Sequence, residues 1–338
     1  MPTIHHSRRL SSPPRRATPR PAAAAWTGVL LAAAAVAAGG ASGRERAIVL
    51  REPELSTRLT DLYPGGAAAP EDPVQRAVFE RINQDRAAAG LRPVAWDEEA
   101  ARAAGDFCAR QVAEKTRGHF LTDGVPPYAR MSFAGVFGMH SENSVSWVTN
   151  AETFSDSPEK LALEGHADMM REKPPYDGHR QTILDPEATH VGVGYAVGHG
   201  RFQMAQEFLT RGLQTLSLTR LSGSLAGVVF DGRPLSKQVL RFVTVAWETA
   251  PTHLTRQEAS ARTSYSYPNP RVSYIPEGLR LLQVVGTTSQ DRLKIRTDHS
   301  FSFDFVPARP GLYSLVFYLS EGQTGPPRPG GSAVLWFE

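Results

Sequence analysis

The chain of 338 residues is 41% hydrophobic and 21% charged, enough apolar sequence for two cores of ordinary size without covalent staples. Its one cysteine, Cys108, excludes an internal disulfide and a cysteine-built zinc site. The formal charge of +3 is local: five of the 37 basic residues (Arg8, Arg9, Arg15, Arg16 and Arg20) lie in residues 1–43 with no acidic residue. That leaves 32 basic against 34 acidic, about −2, for the remainder, so no basic stripe for nucleic acid is expected.

Residues 1–43 have the layout of an export signal: a basic start, the apolar stretch Ala22–Ala38, and small residues from Gly39 to Gly43 that suit cleavage. The apolar stretch is short and mostly alanine, so a cleaved signal is expected rather than a retained anchor. Residues 44–70 lack periodicity and end in Pro64-Gly65-Gly66-Ala67-Ala68-Ala69-Pro70, a linker composition.

Helical patterning then begins. Asp72-Pro73 places a cap before a proline at the first helical position, and Val74, Val78, Phe79 and Ile82 share one face up to the stop at Gly90. Asp97 caps a second helix with Ala100, Ala103, Phe107 and Val112 inward. A third runs from Ser157-Pro158 to about Glu172, where Pro174 and Pro175 end it. The runs Val191–Val197 and Phe202–Leu209 read as strands, with Gly192 and Gly194 marking close backbone packing.

Beyond Leu213 the texture becomes short apolar or alternating runs: Val239–Trp247, Arg271–Ile275, Leu279–Val285, Ser300–Val306, Leu312–Leu319 and Ala333–Phe337. Gly, Pro, Asn and Asp punctuate them, and no helix is expected among them. The expected organisation is a signal peptide at 1–43, a linker at 44–70, a helix-rich domain at 71–213 and an all-β sandwich at 214–338. Pro310-Gly311-Leu312-Tyr313 resembles the last strands of immunoglobulin-like sandwiches.

The chain carries no GxSxG elbow, Walker A loop or HExxH motif. Among its ten histidines, His119 in Arg117-Gly118-His119-Phe120 and His179 in Asp177-Gly178-His179-Arg180 are flanked by turn-forming residues that let an imidazole project into a cleft. Glu142 and Glu172 are candidate partners. Two imidazoles and two carboxylates suit a borderline divalent ion such as zinc, or an acid–base set. Periodicity alone does not bring the four together, and each taken singly also reads as a surface or capping residue.

Over residues 74–209 the sequence resembles the CAP superfamily of cysteine-rich secretory proteins, antigen 5 and pathogenesis-related 1 proteins, in its bacterial SCP-like branch. The resemblance rests on an ordered series: Ile82-Asn83-Gln84-Asp85-Arg86, Trp96-Asp97, Gly118-His119-Phe120 with Asp123-Gly124 and Arg130, Ser141-Glu142-Asn143, Gly178-His179-Arg180 with Ile183-Leu184, Val191-Gly192-Val193-Gly194-Tyr195 and Gln206-Glu207-Phe208. Ser141 stands where the family usually has glycine, a change expected to preserve a turn.

The resemblance implies an α+β chain whose first domain is a three-layer α-β-α sandwich, with a cleft holding His119, Glu142, Glu172 and His179. It further implies that His119 and His179 bind zinc or another divalent ion, with the acids completing or supporting the shell. Family members are associated with lipid binding, channel modulation, defence and proteolysis, so the fold alone does not select an activity. The expected protein is exported, outside the cell or in its envelope, with no integral membrane span after cleavage and no nucleic-acid partner. In this reading it binds a metal together with a lipid or other small ligand, without catalysis. The alternatives are a hydrolase of peptide or envelope polymer, using Glu142 or Glu172 as base on a metal-polarised water, and an adhesion protein working through the β-domain.

Overall fold

The computed structural model describes residues 69–220, 227–279 and 284–337, with the dipeptides 9–10 and 50–51. Apart from those dipeptides and residues 69–70, the expected signal peptide and linker lie outside the described residues. In chain order the elements are β1 (Arg9–Leu10), β2 (Leu50–Arg51), α1 (Pro73–Ala88), β3 (Ala95–Trp96), α2 (Glu98–Glu114), α3 (Pro127–Phe133), β4 (Met139–Thr149), α4 (Pro158–Met170), α5 (Gly178–Ile183), β5 (His190–Gly198) and β6 (Arg201–Thr210). There follow β7 (Leu213–Arg220), β8 (Val228–Pro234), β9 (Gln238–Glu248), α6 (Arg256–Ala261), β10 (Val272–Pro276), β11 (Thr288–Ile295), β12 (Phe301–Phe305), β13 (Gly311–Glu321) and β14 (Arg328–Phe337).

The three expected helices form where their caps place them. The side chains of Asp72, Asp97 and Ser157 accept backbone N–H groups at the starts of α1, α2 and α4, satisfying donors that have no partner inside the helix. The first sheet has the order β1-β4-β6-β5-β3, with β4, β6 and β5 antiparallel. Helix α2 covers one face and α1 with α4 the other, so residues 73–210 build the three-layer α-β-α sandwich. Phe202, Met204 and Phe208 of β6 pack with Val78, Ile82 and Leu161 on the second side. On the first, Gly192 and Gly194 admit α2 so closely that a Cβ on Gly194 would lie 2.1 Å from the Gly105 nitrogen.

Two residues of the first helix tie this sandwich to its loops. The Asn83 side chain pairs with Val94 in both directions, like a strand neighbour. The buried Arg86 guanidinium donates to the carbonyls of Ile183, Asp185 and Ala188. A rigid fork of donors suits a cluster of carbonyls, and the cluster here is the chain leaving α5. Arg86 thereby anchors the element that carries His179.

The second sheet has the order β2-β14-β13-β9-β10-β11-β12-β8-β7. It folds over a phenylalanine-rich core in which Phe230 and Phe301 from one part meet Phe317 from the other at ring separations of 6.1 and 5.8 Å. The sheet-rich C-terminal region is thus a sandwich close to a barrel, and the chain as a whole is α+β. The two halves are joined by direct contacts. Ser132 Oγ of α3 accepts the Val334 N–H of β14 at 2.8 Å, and Tyr128 and Ala129 pack against Leu312 and Val334.

Four local expectations are corrected. Ser141-Glu142-Asn143 forms no turn but lies within β4, and the short helices α3, α5 and α6 are additional. Helix α6 falls in the half expected to be without helices, held by a capping box between Thr255 and Glu258. Of the expected strand Leu279–Val285, residues 280–283 lie outside the described residues and Val285 is 97% exposed in a turn; the strand of this region is β11.

Gly194→Ala is expected to force α2 off β5 at a cost of ~1–3 kcal/mol or more, the scale of overpacking a filled core. Urea unfolding checks this; an unchanged midpoint would contradict the close helix–strand approach.

Candidate functional site

The site lies at the open edge of β4. Alternation along this strand turns His140, Glu142, Ser144 and Ser146 toward the α2 face and Asn143, Val145 and Trp147 toward α1 and α4. The loop after α2 brings His119 to the first face, and α5 carries His179 on the second.

Glu142 has a fully buried side chain. Its Oε1 accepts from His119 Nδ1 at 2.7 Å, and its Oε2 accepts from Arg130 Nη2 of α3. Arg130 also donates to the His119 carbonyl and lies 3.7 Å above the Phe107 ring centre. Burial alone would push the Glu142 carboxyl up, but the Arg130 guanidinium and the His119 hydrogen bond outweigh it and hold the group down at about 2. The second pair mirrors the first. Glu172, two residues beyond α4, accepts His179 Nδ1 on Oε1 at 2.5 Å and the His179 backbone N–H on Oε2 at 3.0 Å. Asn143 Nδ2 donates to the His179 carbonyl at 3.1 Å and so ties α5 to β4.

All four residues expected from the sequence therefore line one hollow of about 980 Å³. In each pair a carboxylate takes the Nδ1 proton, which fixes the tautomer that leaves the lone pair on Nε2. His179 Nε2 is buried without a hydrogen-bond partner. Among the described residues no group of three or more His, Cys, Asp or Glu side chains is arranged to hold a metal ion.

Four further residues of the site escaped the sequence reading. His140, two residues before Glu142 on the same face, meets Glu207 Oε2 through Nε2 at 2.5 Å. Glu207 sits directly opposite Glu142 on β6, where two buried like charges repel. Burial and then the Glu142 charge push Glu207 well above the usual carboxyl range, so it keeps its proton, while burial lowers His140 to about 3 and leaves it neutral. Tyr265 and Tyr267, from the C-terminal half, complete the wall. The hydroxyl of Tyr265 accepts the Glu142 N–H at 2.5 Å, and that of Tyr267 accepts the His140 N–H at 3.3 Å. The Tyr265 ring stands edge-on to His119 with centroids 5.0 Å apart. Glu207 was visible in Gln206-Glu207-Phe208 as a strand residue only. The alternation Tyr265-Ser266-Tyr267 was the one signal of an extended segment with both rings on one side.

The family comparison agrees with this fold. Residues 79–210 match the model of the cysteine-rich secretory protein family, CAP. This stretch is a CAP domain. Solved structures with similarity to the chain include an extracellular protein containing an SCP domain from Bacillus anthracis, at 20% identity and a TM-score of 0.32. That alignment covers 42% of this chain and 45% of the other, so the chain spans less than half the length of that protein. An outer surface protein from Borrelia burgdorferi aligns at 13% identity and a TM-score of 0.33 over 41% of this chain and 94% of its own. A cysteine-rich secretory protein from Staphylococcus aureus aligns at 15% identity and a TM-score of 0.26 over 44% and 42%. No curated protein matches.

The opposed carboxyls predict unequal responses to neutralisation. Glu142→Gln leaves Arg130 without its counter-charge and is expected to cost roughly 3–5 kcal/mol, the scale of a broken buried ion pair. Glu207→Gln replaces a group that is already neutral and is expected to cost little at pH 7. Its sign follows from linkage: a carboxyl raised in the folded state holds a proton that the unfolded chain releases above about pH 4.5, so wild type loses stability there as pH rises. Glu207→Gln lacks that loss and should gain on wild type in denaturant midpoints as pH rises above about 4.5. A midpoint difference that is flat with pH would contradict the assignment.

Proposed function

We propose that the CAP domain is a non-catalytic binding module, working outside the cell or in its envelope, that takes a polar ligand in the cleft between His119 and His179. The observation that carries this reading is the use of both acids as supports. All four carboxylate oxygens of Glu142 and Glu172 already accept hydrogen bonds from His119, Arg130 or His179. A general base works best with a pKa near the operating pH, whereas Glu142 is held at about 2. The hydrolase alternative has no such group in Glu142, and the arrangement orients imidazoles instead.

The residue types of the lining support a polar occupant. Met139, Leu184 and Pro186 are its aliphatic side chains, and the remainder is dominated by His, Glu, Asn, Ser, Thr, Arg and Tyr. His119 and His179 are the residues that would hold a divalent ion, since both rings are fixed by carboxylates and the buried Nε2 of His179 has no other partner. Bound there, such an ion would supply an electrophilic anchor for a ligand oxygen. The protein's own part is to keep Nε2 of each ring unprotonated and in place. With two imidazoles as its protein donors, the site is expected to be weaker than a closed zinc site of four. The export reading draws on residues 1–43 and on the description of the Bacillus anthracis protein as extracellular. Among the described residues no helix is long and apolar enough to cross a membrane.

Zinc titration of the full chain by calorimetry tests the metal component. His119→Ala and His179→Ala are each expected to weaken zinc uptake at least about tenfold, the loss of one ligand's contribution. Equal, negligible uptake by wild type and both variants would remove the metal from the proposal.

A further inference from the structure

We propose that the C-terminal β-region is part of this binding site rather than a separate module, and that Tyr265 is the residue through which it selects a saccharide as the ligand. The inference rests on the cleft reading above and adds the ligand's class. It starts from proton counting at the open edge of β4. The Tyr267 hydroxyl accepts from the His140 N–H and lies 3.0 Å from Ser332 Oγ, whose proton goes to the Gly138 carbonyl at 2.7 Å. A serine has one hydroxyl proton, so Tyr267 must donate to Ser332, and that circuit is closed. Tyr267 is therefore a positioning residue; its ring also stacks on Tyr128 of α3 at 4.6 Å.

Tyr265 differs. Its oxygen accepts the Glu142 N–H, and among the described residues its own proton has no acceptor. Both oxygens of Glu142 are already engaged by His119 and Arg130. The hollow holds a second unanswered group, the buried Nε2 of His179, an acceptor in the tautomer that Glu172 imposes. The cleft thus offers both a donor and an acceptor.

Three ligand classes can be weighed against this arrangement. A lipid would meet only three aliphatic side chains on the lining, Met139, Leu184 and Pro186. An extended peptide adding to β4 would need the edge N–H groups of His140 and Glu142, and the two tyrosine hydroxyls occupy both. A saccharide fits: each hydroxyl both accepts and donates, so in the metal-free cleft it answers Tyr265 O–H and His179 Nε2 alike. The face of Tyr176, which is 47% exposed on the lining, supplies flat apolar surface for sugar C–H groups.

The test uses the full chain and a panel of neutral oligosaccharides of glucose, galactose and N-acetylglucosamine, with an extended decapeptide and octanoate as the competing classes. Wild type is expected to bind at least one oligosaccharide saturably and neither competitor. Tyr265→Phe, which keeps the ring against His119, is expected to weaken that binding about tenfold, the value of one ligand hydrogen bond, with Glu159→Gln, exposed on α4 and away from the hollow, unchanged. If Tyr265→Phe does not fold, the readout is the ¹³Cζ resonance of Tyr265 in labelled wild type, which must shift on sugar addition. The proposal is overturned by no oligosaccharide binding, by binding that Tyr265→Phe or the Tyr265 resonance does not report, or by preference for the peptide or octanoate. Zinc uptake that still depends on His119 and His179 would then leave the cleft reading standing without it.

Discussion

A carboxylate sealed from solvent has to be neutralised where it stands, because burying an unpaired charge costs far more than a domain's whole stability margin. Glu142 meets that demand with Arg130 on one oxygen and His119 on the other, and the rest of the site follows from the solution. Arg130 must sit on α3, so α3 is held against β14 through Ser132 and Val334. His119 must present Nδ1 inward, so its Nε2 is the free nitrogen. Glu207, opposite on β6, can no longer be charged, and its proton has His140 Nε2 at 2.5 Å as an acceptor. One fixed charge therefore orients the His119 ring and helps keep Glu207 protonated, while burial keeps His140 neutral.

The same strand explains why the two halves of the chain are not independent neighbours. An open sheet edge invites pairing with another chain, and at β4 that edge is closed by side-chain hydroxyls from the C-terminal half. Tyr265 and Tyr267 satisfy the backbone donors of Glu142 and His140, while Tyr128 donates to Glu248 Oε2 at 2.5 Å, linking α3 to β9. The tyrosines have a structural task and a place in the cleft at once. Hydroxyls at fixed positions do what a backbone strand would do, yet leave room in front of the imidazoles.

What the sequence made legible was what depends on local chemistry. Asp72-Pro73, Asp97 and Ser157-Pro158 mark helix starts because a cap acts within three residues of itself. The spacing of Val74, Val78 and Ile82 survives into the buried face of α1 because nothing functional interrupts it. The family motifs located His119, Glu142, Glu172 and His179, and the structure gathers all four. Strand β4 was illegible for a physical reason: His140, Glu142, Ser144 and Ser146 put polar groups on a buried face, so the apolar alternation that announces a strand is absent. Helix α5, at six residues, is too short to show a period. Thr255-Arg256-Gln257-Glu258 did carry a capping box, a signal lost among the surrounding strand patterns. Tyr265 and Tyr267 meet β4 across more than 120 residues, a juxtaposition that only the folded chain defines.

The central claim is that two buried carboxylates hold two imidazoles in the tautomer that turns Nε2 to the ligand. Nitrogen-15 shifts of the histidine rings, measured on the full chain at neutral pH, read that tautomer atom by atom. The account predicts a protonated Nδ1 and an unprotonated Nε2 in both His119 and His179. A proton on Nε2 with a bare Nδ1 in either ring would contradict it.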